Sequence, residues 1–295
     1  MTSYADLPGA LLEQLTAAGL DPREVYDGVA RAVAEDCPGE DVTSVATLDP
    51  GASAWGDLVA RAAGVVAGLA VAEVVFRQVV PGAEVIWHVT DGDRVIRDEM
   101  LLSVHGPVLS LLTAERTALN YLCHLSGVAT ATDRWVAALS GTGAHVRDTR
   151  KTTPGLRALE KYAVRCGGGV NHRVTLSDQA LVKDNHVLAA GGVVPAYAAV
   201  RMRYPDLPVQ VEVTTLEQLG ELLEAGAREI LLDNMGTATM AEAVRVTAGR
   251  ARLEASGGLT LERARQVAET GVDLIAVGAL THSAAVLDVA MDLRP

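Results

Sequence analysis

In the second half of the chain, short apolar runs alternate with amphipathic ones. The apolar runs are AHVRDTR (144–150), ALVKDNH (180–186), VQVEV (209–213), EILLDN (229–234), RLEASGG (252–258) and LIAVGAL (274–280). Segments of helical period lie between them, at about 156–166, 193–204, 215–225, 237–248 and 260–270. Strands separated by crossover helices predict a parallel sheet. Six such units are fewer than the eight of a full TIM barrel. The pattern therefore predicts an α/β fold built as an incomplete or variant α/β barrel, with an open doubly wound sheet as the alternative.

The first half has a different texture. Residues 1–36 predict two short helices, the second opened by Asp21-Pro22 as a cap followed by a first-turn proline. CPGEDVTS (37–44) predicts a loop. From about 51 to 105, WGDLVARAAGVVAGL, EVIWHVTDGDRV and EMLLSVHGPV are Val-rich segments separated by Gly and Asp turns. They predict a small α+β domain with an antiparallel sheet. A long helix is expected from about Val108 to Leu139, broken near Ser126-Gly127. The expected organisation is an N-terminal α+β domain at 1–116, a catalytic barrel at 117–280, and a C-terminal helix at 281–295 packing back toward the N-terminal domain.

Composition narrows the function classes. The chain has 295 residues, 49% hydrophobic and only 3% aromatic, so Ala, Val and Leu must fill its core. Its formal net charge of -12 argues against nucleic-acid binding, which needs a basic surface. Cys37, Cys123 and Cys166 form no CxxC pair, which suggests neither a zinc site nor a disulfide framework. The N-terminus lacks a basic n-region with a continuous apolar stretch, and no apolar run reaches about 18 residues. A cytoplasmic protein with no membrane partner is expected. No GxGxxG follows the first strand, against a dinucleotide site.

Against that acidic background, one block is basic. Residues 147–186 hold 8 Lys and Arg against 4 acids, and all three lysines of the chain, Lys151, Lys161 and Lys183, lie there. Active sites of parallel α/β folds form at the carboxyl ends of the strands. Those ends carry Thr149, Arg150 and Lys151, then Lys183, Glu212, Asp233, Ser256-Gly257-Gly258, and Gly278 with His282 beyond it. Arg150, Lys151, His172, Arg173 and Lys183 predict a cationic pocket for a polyanion. Glu212 and Asp233 are charges inside apolar strand patterns. They suit coordination of a divalent cation beside phosphates, or stabilisation of developing positive charge. The glycines after the last two strands suit a phosphate. Lys161 and Arg165, in mid-helix, are equally explained as structural cations.

RDTRKTTPGLRALEKYAVRCGGGVNHR (147–173), followed by ALVKDNH, VEV, LLDN, EASGGLT and AVGALTHS, resembles the quinolinate phosphoribosyltransferase family. DVTS (41–44), DGDRV (91–95) and ERTALNYLCHLSG (115–127) resemble its N-terminal half. The resemblance implies transfer of phosphoribosyl from 5-phosphoribosyl 1-pyrophosphate to quinolinate, with Mg²⁺, giving nicotinate mononucleotide, CO₂ and pyrophosphate in NAD synthesis. It implies that Arg150, His172, Arg173 and Lys183 clamp the dicarboxylate, and that Lys151 meets phosphate oxygens. Glu212 and Asp233 would serve the ribose, the metal or the developing charge, with the glycine loops at 256–258 and 278 on the 5-phosphate. It also implies a homodimer with shared sites, in which Arg116 acts in trans. A paralogue using nicotinate is the enzymatic rival, and a non-catalytic anion sensor the rival of another class.

Overall fold

The polar groups at strand ends are placed by one of three sheets, in a computed structural model described for residues 2–294. The strands in chain order are β1 (Ser53–Ala60), β2 (Gly64–Val65), β3 (Glu84–Trp87), β4 (Arg94–Val95), β5 (Met100–Pro107) and β6 (His145–Arg147). Then follow β7 (Ala180–Val182), β8 (Val209–Val213), β9 (Glu229–Asp233), β10 (Arg252–Ser256), β11 (Leu274–Ala276) and β12 (Val289–Arg294).

The chain divides into two compact units. One comprises residues 1–131, 158–168 and 284–295; the other comprises 132–157 and 169–283. This partition differs from the expected one. A boundary at 116 would fall inside a single continuous helix, Val108–Ala138. The expected break at Ser126-Gly127 is absent because both residues serve packing. Ser126 Oγ accepts from the Ala67 amide at 3.0 Å. A Cβ on Gly127 would stand 2.3 Å from the Ala285 carbonyl oxygen, so glycine is there to let that backbone approach.

In the first unit the antiparallel sheet runs β12-β1-β5-β3, with β2 and β4 forming a separate pair. Leu58, Leu101, Leu102 and Val104 are buried in it, and Phe76, the one phenylalanine of the chain, is also fully buried. Phe76 belongs to a helix, Leu69–Val79, where the sequence pattern was strand-like. That helix is buried on almost every face, and its run of Val and Phe has the propensity of a strand. Its N-terminus is capped from a distance: the Asp91 carboxylate accepts from the amides of Gly68 and Leu69. The expected loop at 37–44 contains the start of a short helix, Val42–Thr47, capped by Asp41 onto the Ser44 amide.

The expected C-terminal helix is instead the strand β12, antiparallel to β1 with Met291 opposite Leu58. Six residues suffice for a strand but form at best a marginal helix. Here they cover an otherwise open edge of β1. Arg294 Nε donates to Asp57 at 2.9 Å and pins the strand.

The second unit has the expected α/β architecture. Six parallel strands run β6-β11-β10-β9-β8-β7, with Val146, Val211, Ile230, Leu253 and Ile275 buried. This is a barrel-like sheet whose edges, β6 and β7, do not pair with each other. Val170 adds a single parallel bridge to Arg147. The strands are shorter than their sequence patterns. β7 stops at Val182, and the helix Asp184–Ala190 starts at once, with His186 Nδ1 accepting from the Lys183 amide at 3.0 Å. Lys183 is thus beyond the strand, at its mouth.

Candidate active site

Side chains in a strand alternate between faces. Gln210 and Glu212 therefore share one face of β8, Leu231 and Asp233 one of β9, Glu254 and Ser256 one of β10. Cross-strand register puts Glu212 opposite Leu231, and Asp233 opposite Ser256. These faces, with the segments after β6 and β7, enclose a cavity of about 250 Å³. It is lined by Thr149, Arg150, Lys151, His172, Arg173, Lys183, Glu212 and Ser256, together with Leu181, Leu231, Glu254 and Ala276.

The structure brings most of the expected residues together. Asp233 does not line the cavity but acts electrically on Glu212, and its carboxylate accepts from Asn234 Nδ2 at 2.8 Å. Gly257 sits behind Asn234 at φ 99°, where a Cβ would stand 2.1 Å from Asn234 Oδ1. A Cβ built on Gly278 would lie 3.1 Å from Lys151 Cδ and 3.2 Å from His282 Nε2, so these three residues converge. Thr281 Oγ1 donates to the Lys151 carbonyl at 2.7 Å and holds that main chain. Gly258 faces open space. Arg116 is exposed on the helix Val108–Ala138 and is not among the lining residues.

The basic block divides by role. Arg150, Lys151, Arg173 and Lys183 line the cavity. Arg147 is buried and pairs with Glu254 at 2.8 Å. Arg157 donates to Thr152 and to the Val174 carbonyl. Lys161 is buried elsewhere, and Arg165 donates to the Ala18 carbonyl and stacks over Tyr162.

Charge in the cavity is strained in both senses. Burial, then the neighbouring charge of Arg150, lowers the affinity of Arg173 for its proton. Burial, then the charge of Asp233, pushes the Glu212 carboxyl above its ordinary range, with Lys183 opposing. Two cations held side by side favour an anionic ligand. Two carboxylates held near each other favour a cationic one. Arg150 Nε is buried without a protein partner, a donor left for something else. Among the described residues no group of three or more His, Cys, Asp and Glu is arranged to hold a metal.

Sequence reasoning missed Glu254 and Gln210. Both carried the signal that exposed Glu212 and Asp233, a polar side chain inside an apolar strand. They stand one layer deeper, two residues earlier on the same faces. Asp148 was missed too. It is buried, and accepts from the His172 amide at 2.7 Å and from Asn171 Nδ2 at 2.5 Å, fastening that loop to the end of β6.

Comparison with known proteins gives a consistent picture. The family described as quinolinate phosphoribosyl transferase, N-terminal domain, matches residues 41–126, and its C-terminal domain matches 128–292. The nicotinate-nucleotide pyrophosphorylase (carboxylating) of Mycobacterium leprae is 51% identical over 273 residues, covering 90% of this chain and 96% of that one. A probable enzyme of the same name from Bacillus subtilis is 42% identical over 238 residues, 80% of this chain and 82% of its own. The crystal structure of NadC from Streptococcus pyogenes superposes with a TM-score of 0.90 at 42% identity, covering 93% of this chain and 98% of that one.

Proposed function

The chain belongs to the quinolinate phosphoribosyltransferase family, and from that membership we propose how its own side chains divide the family's reaction among them. The reaction joins the ring nitrogen of quinolinate to C1 of 5-phosphoribosyl 1-pyrophosphate and releases pyrophosphate. The 2-carboxylate leaves as CO₂, and the product is nicotinate mononucleotide, a precursor of NAD.

Arg150, Arg173 and Lys183 bind the two carboxylates of quinolinate. The observation that carries this assignment is that Arg150, Arg173 and Lys183 line one cavity, with Arg150 Nε buried and without a protein partner, an arrangement that a dianion satisfies. So held, the ring directs its nitrogen lone pair at C1 of the ribose. As the C1–oxygen bond breaks, its electron pair departs on pyrophosphate and positive charge develops on the sugar. Glu212 and Asp233 stabilise that charge and hold the ribose hydroxyls. Lys151, converging with Gly278 and His282, takes phosphate oxygens. When the C2–carboxylate bond then breaks, its pair stays on C2 beside the newly quaternised nitrogen, and solvent supplies the proton. Glu212 and Asp233 are the residues that would hold Mg²⁺, which would offset the negative charge of the departing pyrophosphate. Thr149 and the 256–258 turn complete the phosphate and carboxylate contacts.

The working assembly in this reading is a homodimer in which Arg116 of the partner subunit adds a further cation to each site. The exposure of Arg116 supports this. The compartment is the cytoplasm, where three free cysteines suit reducing conditions.

Calorimetric titration tests the dicarboxylate assignment. Quinolinate should bind at least about ten-fold more tightly than nicotinate, and Arg173→Ala should close most of that gap. Equal affinity for the two acids would overturn the assignment.

A further inference from the structure

A chain of buried polar groups runs from the cavity lining, at His172 and Glu254, to Gln210 and Arg147, and its donors and acceptors have one consistent order. Glu254 is 1% exposed. Its Oε2 accepts from Arg147 Nη1 at 2.8 Å and from Gln210 Nε2 at 2.7 Å. The Gln210 amide cannot be turned over, because its oxygen would then face a carboxylate oxygen. Its carbonyl Oε1 therefore faces His172 Nε2, at 2.7 Å. At the other edge of the imidazole, Nδ1 lies 2.7 Å from the Arg173 amide nitrogen, a group that can only donate. Nδ1 is then the acceptor and Nε2 the donor. An imidazole in that arrangement is neutral.

We propose that Glu254 is a positioning residue for the substrate clamp: acting through Gln210 it fixes His172 as the Nε2–H tautomer, and His172 in turn fixes the main chain of Arg173. His172 then contributes orientation, not positive charge. The cation that reaches the substrate is Arg173, held at one end by this relay and along its side chain by donation from Nη1 to the Gln179 carbonyl at 2.9 Å. The relay extends the proposed function, since it matters to turnover only if Arg173 meets a substrate carboxylate.

Two measurements test it. In wild-type protein carrying ¹⁵N-histidine, the His172 signal, identified by its loss in His172→Gln, should show an unprotonated Nδ1 and a protonated Nε2. In Gln210→Met, a swap of similar size that cuts the relay, His172 should lose that single-tautomer pattern. KM for quinolinate should rise about ten-fold while KM for phosphoribosyl pyrophosphate stays near wild type. Glu254→Gln, which keeps an acceptor for Gln210, should fall between wild type and Gln210→Met. A protonated Nδ1 in the wild type overturns the relay whether or not the variants fold. So does an unchanged quinolinate KM in Gln210→Met, or an equal rise in both KM values. If wild-type protein fails to turn over quinolinate at all, the functional reading falls, while the NMR result still decides the relay.

Discussion

Glu212 and Asp233 lie in the last two residues of neighbouring parallel strands, and after burial itself the charge of Asp233 is the largest influence raising the Glu212 carboxyl above its ordinary range. A raised acid favours the folded state at low pH, and that advantage is lost as pH rises through the raised folded-state value. Ionising Glu212 therefore costs folding stability. Glu212→Gln should lose about 100-fold or more in kcat yet melt no lower than wild type at pH 7. Paired melting curves and turnover measurements check this. A clear drop in Tm at pH 7 would show Glu212 to be structural.

The same pair predicts a pH effect. Asp233→Asn removes the like charge, so Glu212 should ionise more readily. In whatever activity survives, the acid limb of the kcat/KM profile should move to lower pH. A limb that stays in place would mean that the two carboxylates do not act on each other.

The Arg147–Glu254 pair should matter to the fold. Both residues are buried, at 8% and 1% exposure, so removing one leaves an uncompensated charge. Arg147→Met should cost about 3–5 kcal/mol in denaturant unfolding. Adding Glu254→Leu to it should recover much of that loss. A double variant as unstable as the single would show that the charge imbalance is not the cause.

The sequence made the second unit legible because hydrophobic period and polar strand ends reinforce each other there. Arg150, Lys183 and Glu212 stand out by position alone. What escaped depends on tertiary contacts that no local pattern carries. The helix Leu69–Val79 is rich in Val and packed on nearly every face, so its propensity reads as strand while its contacts make it helix. Ser126-Gly127 resembles a helix break, although the glycine exists to admit the Ala285 backbone. The strand β12 is stabilised by pairing with β1, more than 200 residues away in sequence, which no local pattern reveals. Glu254 and Gln210 lie one layer below the strand ends, where reading only the last residue of each strand does not reach.

Gly127 gives a direct check of the unbroken helix. Gly127→Ala adds a methyl where a carbonyl oxygen would be 2.3 Å away. Overpacking of this kind costs about 1–3 kcal/mol, against an ordinary gain in helix propensity. Denaturant unfolding should therefore show a net loss. A stabilised variant would mean that the 285–286 segment is not seated against the helix.

Shared sites are testable by complementation. Arg116→Ala and Lys183→Ala should each fold and each be nearly inactive. Co-refolded, they should regain activity through hybrid dimers carrying one intact site. Hybrid dimers that form, by mass, without any return of activity would exclude Arg116 acting across subunits.

The most direct test of the central claim follows both products at once. Purified protein is given quinolinate labelled in its 2-carboxylate, phosphoribosyl pyrophosphate and Mg²⁺. Labelled CO₂ and nicotinate mononucleotide should appear in equal amounts, and neither should form when either substrate is withheld. Quinolinate that binds but yields neither product would leave an anion-binding cavity without the chemistry, and would contradict the account.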